Sequence, residues 1–139
     1  MTIKLASLKA DLDRETKGDW VDFPDIPGLR LKVSSLFKPE YTTARDITLK
    51  RLAAVYKADA IPQPVLSAEL GGLYAKHILH GWEGLDIDYS EAAAEKYLTD
   101  PAYRVLVGAV EWCAGKIAET RIEYVEKDTK NSGKPSAGA

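Results

Sequence analysis

His77 and His80 stand three residues apart, and Glu83 follows after three more. On one helix that step returns to nearly the same face, so two imidazoles and a carboxylate could approach a single metal ion. Nothing completes the ligand set, however: there is no second histidine pair and no cysteine cluster. His77 would also project into an apolar stripe while His80 faces a polar strip. Asp86-Ile87-Asp88-Tyr89-Ser90 imitates the opening of a calcium-binding loop, but Glu91 takes the glycine position and Tyr97 the place of the closing glutamate. Gly71-Gly72 lacks the strand and spacing of a phosphate-binding turn and reads as close helix packing or a local kink. Cys113 is the one cysteine; it excludes an internal disulfide and falls on an apolar helical stripe, as a core residue does. No nucleophile elbow is present. The residues predict a non-enzymatic protein with no catalytic residue, cofactor or metal.

The elements that carry these residues are legible from composition and periodicity. With 139 residues, 45% hydrophobic and 29% charged, the chain has the make-up of one soluble globular domain. Its net charge of -2 leaves no global positive field for nucleic acid or an anionic membrane. No run approaches the ~20 apolar residues of a membrane span. The opening Met1-Thr2-Ile3-Lys4-Leu5 lacks the apolar core of a signal peptide, which predicts a cytoplasmic location.

Leu5, Leu8 and Leu12 suggest a short helix over residues 3–15. Residues 19–34 read as a β-hairpin around Pro24-Asp25-Ile26-Pro27-Gly28, with Leu29, Leu31 and Val33 on one face. Helices are expected at about 39–57, 65–82, 91–98 and 101–127, with Ser90 and Asp100 as caps and Pro39 and Pro101 in first turns. Residues 128–139 are small and polar and read as a flexible tail. The predicted fold is mainly α: one helical domain over 1–127 with a small N-terminal hairpin.

Candidate contact residues stand out against that frame. Trp112 projects away from the Leu106, Val110, Ile117 stripe, beside Val105, so a large apolar ring sits on the nominally polar side of the last helix. Either the hairpin or the N-terminal segment, or else a subunit or partner surface, should cover it. Trp82 closes a helix that is apolar around most of its circumference. Charge is uneven: Arg45, Lys50, Arg51 and Lys57 oppose only Asp46, whereas Glu83, Asp86, Asp88, Glu91, Glu95 and Asp100 oppose only Lys96. Such blocks are commonly solvated faces; on opposite sides of the fold they would be suited to steering head-to-tail self-association.

Taken in order, Gly18-Asp19-Trp20-Val21-Asp22-Phe23, Pro27-Gly28-Leu29-Arg30-Leu31-Lys32-Val33, Gly81-Trp82-Glu83-Gly84-Leu85, Tyr89-Ser90 and Leu98-Thr99-Asp100-Pro101 resemble the tail assembly chaperones of long-tailed bacteriophages and prophages. The resemblance spans roughly residues 18–128. It implies a small, mainly helical protein of the host cytoplasm that binds the tape measure protein, keeps it soluble, self-associates and promotes tail tube assembly. It also implies absence from the mature virion. Such families are often made in two lengths, a frameshift-extended form recruiting the tail tube protein. Ser132-Gly133-Lys134 is compatible with a slippery junction. The alternative is a structural neck or tail-completion protein retained in the virion.

Overall fold

The computed structural model describes residues 1–126. In chain order these form β1 (Thr2–Ile3), α1 (Leu12–Lys17), β2 (Asp19–Asp22), β3 (Arg30–Val33), α2 (Pro39–Tyr56), α3 (Gln63–Leu73), β4 (Leu79–Glu83), α4 (Glu91–Leu98), α5 (Arg104–Ala118) and β5 (Tyr124–Val125). Short 3-10 turns occupy Leu5–Leu8 and Pro101–Tyr103, and a π turn occupies Tyr74–Ile78. Helix accounts for 56% of these residues and strand for 13%, in two sheets. The expected mainly α class is therefore corrected to a mixed α and β fold.

The described residues divide into two compact units, Leu12–Ala118 and a second made of Met1–Asp11 with residues 119–126. In the second, β1 pairs antiparallel with β5, setting Thr2 against Val125 and Ile3 against Tyr124. The Ser7 hydroxyl accepts the Glu123 amide at 2.9 Å. Two expectations are corrected here. No single helix runs over residues 3–15, and the last helix ends at Ala118 instead of continuing to 127. Thr120 and the β-branched and aromatic residues Ile122, Tyr124 and Val125 suit an extended chain better than a helix.

In the larger unit, β2 and β3 pair antiparallel around the Pro24–Gly28 turn, with Val21 opposite Leu31 and Asp22 opposite Arg30. The third strand is β4, which gives a sheet of order β2-β3-β4. It replaces the C-terminal end of the helix expected over 65–82, of which only Gln63–Leu73 is α-helical. The cause lies in the register. Leu31 faces Trp82 and Lys32 faces Gly81, but Val33 faces Leu79, so His80 is an extra residue bulged out of the ladder. A bulge places residues three apart on the same side of a strand. Leu79 and Trp82 therefore share the inner face while keeping a spacing that imitates a helix.

Leu29, Leu31, Val33, Leu79 and Trp82 join Ala109, Val110, Cys113, Ala114 and Ile117 of α5 in one core. The π turn adds Tyr74, Ala75 and Ile78. On α2 only Tyr41, Thr48 and Leu52 are buried, one row at seven- and four-residue steps, and this helix packs on α3 and the π turn. Ser90 caps α4 by accepting the Ala93 amide at 3.0 Å, and Asp100 accepts the Ala102 amide at 2.9 Å ahead of α5.

α3 can lie against the end of α4 only because residue 71 has no side chain. A Cβ on Gly71 would overlap the Leu98 carbonyl oxygen, whereas one on Gly72 would meet only the Thr99 methyl at 3.7 Å. Gly71→Ala should destabilise the protein by about 3 kcal/mol, since backbone and not a pliable side chain must give way. Gly72→Ala should change stability by less than about 1 kcal/mol. Urea unfolding of both variants checks this, and equal midpoints would remove the close approach as the reason for glycine at 71.

Candidate functional site

The histidines do not form the cluster that their spacing suggested. His77 lies in the π turn, where its carbonyl accepts the Lys38 ammonium at 3.1 Å, and His80 lies at the bulge of β4. Among the described residues no group of three or more His, Cys, Asp or Glu side chains could hold a metal ion. His80 Nε2 instead meets the Ser34 hydroxyl at 2.6 Å, and Ser34 Oγ donates to the Thr16 carbonyl at 3.0 Å. The one hydroxyl hydrogen is thus committed to Thr16, so the ring Nε2–H must donate to Ser34. Ser34 is fully buried, and the Ser35 amide donates to the Glu15 carbonyl at 2.9 Å. The pair clasps α1 to the sheet; it is not built as an accessible nucleophile. Cys113 is equally enclosed, and burial pushes its thiol up to about 11.

Two mainly apolar clefts offer places for a partner. The first lies where the hairpin turn, the loop after β4 and the start of α5 meet, with a volume of about 320 Å³. Leu29, Trp82 and Leu106 form its floor, while Ile87, Tyr103 and Val105 stand exposed at its sides. Its walls are pinned. The Trp82 indole N–H donates to the Ile87 carbonyl at 2.7 Å, and the Tyr89 ring packs edge-on against Trp82 with centroids 5.2 Å apart. The Tyr89 hydroxyl donates to the Leu79 carbonyl at 3.1 Å. Gly84 turns the chain at φ 96°, where any Cβ would overlap the Gly28 carbonyl oxygen. Asp86 lines the same cleft and Asp88 follows it, both exposed.

The second cleft, of about 410 Å³, runs between α3 and α5. Leu66, Leu70 and Val107 line it with Gly108, beside which no atom lies within 4 Å of a Cβ position. The bare backbone at Gly108 leaves room for close approach by another chain. At its inner end the Tyr74 hydroxyl donates to Glu111 at 2.7 Å; burial raises the tyrosine above its ordinary value, with the neighbouring carboxylate adding to the effect.

The residues singled out from sequence are distributed as follows. Trp82 is 7% exposed and belongs to the core, so it forms a cleft floor and not a free surface. Trp112 stays 39% exposed; Phe23 of the hairpin covers part of it edge-on at 5.6 Å and Lys116 lies 5.0 Å over the ring. Val105, 62% exposed, shares the first cleft with Trp82 and Asp86. Glu83 binds Arg30 at 3.1 Å, Arg51 binds Glu69 at 2.8 Å, and Arg45 lies over the Tyr41 ring at 5.8 Å. Lys50 is exposed on α2. The suggested junction Ser132, Gly133 and Lys134 and the tail 128–139 lie outside the described residues. Sequence reasoning missed Gly108 and the Tyr97–Tyr103 pair, 4.8 Å between ring centroids, which joins α4 to the turn before α5. A glycine amid the Val105–Val110 run was the one available signal for the former.

Burial, aided by the charges of Lys38 and Lys32, holds His80 below its ordinary value of 6.5. A lower value in the folded state means that the unfolded chain binds more protons, so stability is full above about pH 6.5 and declines as pH falls from there to the folded value. His77 is lowered in the same direction by burial and by Lys76 and Lys38. Denaturation midpoints measured between about pH 8 and pH 5 should fall on the acid side, and His80→Asn should flatten the decline. An unchanged slope in that variant would assign the proton uptake elsewhere.

Among the described residues no helix is long and apolar enough to cross a membrane. No curated protein and no solved structure matches the chain. The family model of the YdaY prophage protein matches residues 36–131, a stretch that takes in α2 through α5 together with β4 and hence most of both cleft walls. With well over half of its 139 residues matched, the chain belongs to the YdaY prophage protein family.

Proposed function

We propose that this prophage protein is a tail assembly chaperone: it binds the tape measure protein, keeps it soluble and, through self-association, promotes tail tube assembly around it. The observation that carries this reading is the cleft between α3 and α5, apolar along Leu66, Leu70 and Val107 and open to bare backbone at Gly108. A tape measure is a very long helical chain whose apolar side chains remain uncovered until the tube encloses them. A small binder with one shallow apolar cleft holds such a chain weakly per site, and many copies along it suppress aggregation. The resemblance to tail assembly chaperones and the prophage family agree with this role. The protein acts by binding and not by catalysis, works in the host cytoplasm, and leaves before the virion matures. An extended form made by frameshifting near Ser132-Gly133-Lys134 would bring in the tail tube protein.

Co-expression with the tape measure protein of the same prophage tests the reading. The soluble fraction of the tape measure should rise several-fold with the wild-type chain, and Gly108→Trp, which fills the cleft from an open position, should return it to the level without chaperone while the helical circular dichroism is kept. No gain in solubility would overturn the proposal. So would recovery of this chain from purified particles in stoichiometric amount, the signature of a neck or tail-completion protein.

A further inference from the structure

The first cleft and the exposed side of α2 complement each other in apolar surface and in charge. The cleft offers apolar walls at Ile87, Tyr103 and Val105, and beside them stand Asp86 and Asp88, neither of which makes an ion pair among the described residues. α2 offers the converse. Ile47 and Val55 are 63% and 64% exposed, and with Ala54 they stand at i, i+7 and i+8, a single row along the helix. Lys50 flanks the row as an exposed cation, and Arg51, paired with Glu69 at 2.8 Å, lies between Ile47 and Val55 at i+4. A helix with that row has apolar side chains to place in the cleft and cations to set beside its two aspartates.

We propose that the cleft takes α2 of a second copy of this chain, so that copies join head to tail. α2 packs on α3 and the π turn, whereas the cleft is built by the hairpin turn, the loop after β4 and the start of α5. The two surfaces share no residue, so one copy uses both at once. The contact is heterologous and grows into a ring or an open helix instead of closing as a two-fold dimer. The chain's own residues from 127 onward contain no large apolar side chain and are not suited to the cleft. Charge complementarity raises the rate of encounter and fixes orientation, and the apolar row supplies the burial that holds the contact. This deepens the self-association in the proposed function and rests on that part of it. Its test contains no tape measure protein, so its failure leaves tape measure binding untouched.

Sedimentation velocity on the full chain decides it. The wild type should show a mass above 15.3 kDa that grows with protein concentration and shrinks with added salt. Val105→Asp in the cleft and Ile47→Asp on α2 change exposed positions, and each variant alone should be monomeric. Mixed in equal amounts, they retain one intact cleft and one intact α2 between them and should form a dimer that grows no further. Charge reversal gives a second route that spares the apolar residues. Asp86→Lys with Asp88→Lys should abolish assembly, as should Lys50→Glu with Arg51→Glu, whereas the two mixed should assemble again, with the variants alternating along the chain. A monomeric wild type, variants that assemble as the wild type does, or mixtures that stay monomeric in both routes would each overturn the proposal.

Discussion

Leu31 and Val33 are completely buried on the central strand, and almost every other feature depends on what covers them. The cover is α5, which turns Ala109, Val110, Cys113, Ala114 and Ile117 toward the core. Three of these are small, so the helix axis can settle close to the sheet, and Cys113 Sγ comes within 3.9 Å of the Val21 carbonyl. Burying side chains of this size stabilises a fold by about 1.5–3 kcal/mol each, which a two-stranded hairpin alone could not collect. The hairpin is stable here because a third strand and a helix complete its surroundings.

That third strand also sets the positions of the polar groups. The bulge at His80 rotates Leu79 and Trp82 to the same face, and the displaced imidazole reaches Ser34. Downstream, Trp82 and Tyr89 tie the acidic loop to the strand through hydrogen bonds to the Ile87 and Leu79 carbonyls. Asp86 is therefore held in place over an apolar floor. The α3–α5 cleft has a similar origin: the overlap-free approach of Gly71 to Leu98 fixes α3 against α4, and the gap left beside α5 is lined by Leu66, Leu70 and Gly108. Both clefts are thus consequences of core packing, one lying between helices and the other lined by turns and a loop tied to the sheet.

Charge acts at a different level. Ion pairs such as Arg14–Asp19, Arg30–Asp22 and Arg51–Glu69 have substantially exposed partners, and pairs of this kind contribute little to stability individually. Their distribution matters more than their number. Arg30 answers both Asp22 and Glu83, and Arg51 answers Glu69, while Lys50 on one side and Asp86 and Asp88 on the other remain turned to solvent.

Local chemistry was enough for the hairpin, because proline, glycine and strict alternation act within a few residues: Leu29, Leu31 and Val33 are buried on the face that their period-two pattern predicts. It was also enough for the caps at Ser90 and Asp100, and for Cys113 as a core residue, since each depends on neighbours in sequence. The 79–83 strand was not legible. Its bulge converts a strand into a helical-looking spacing, and only the partner strand β3 distinguishes the two. For the same reason the sequence could mark Trp82, Trp112 and Val105 as large apolar groups on ambiguous faces but could not say that the first is a floor, the second half covered by Phe23 and the third open. Residue type and local period thus determined which segments must be apolar, capped or charged. Tertiary packing decided which of those apolar surfaces stay uncovered, because exposure depends on contacts between residues far apart in the chain.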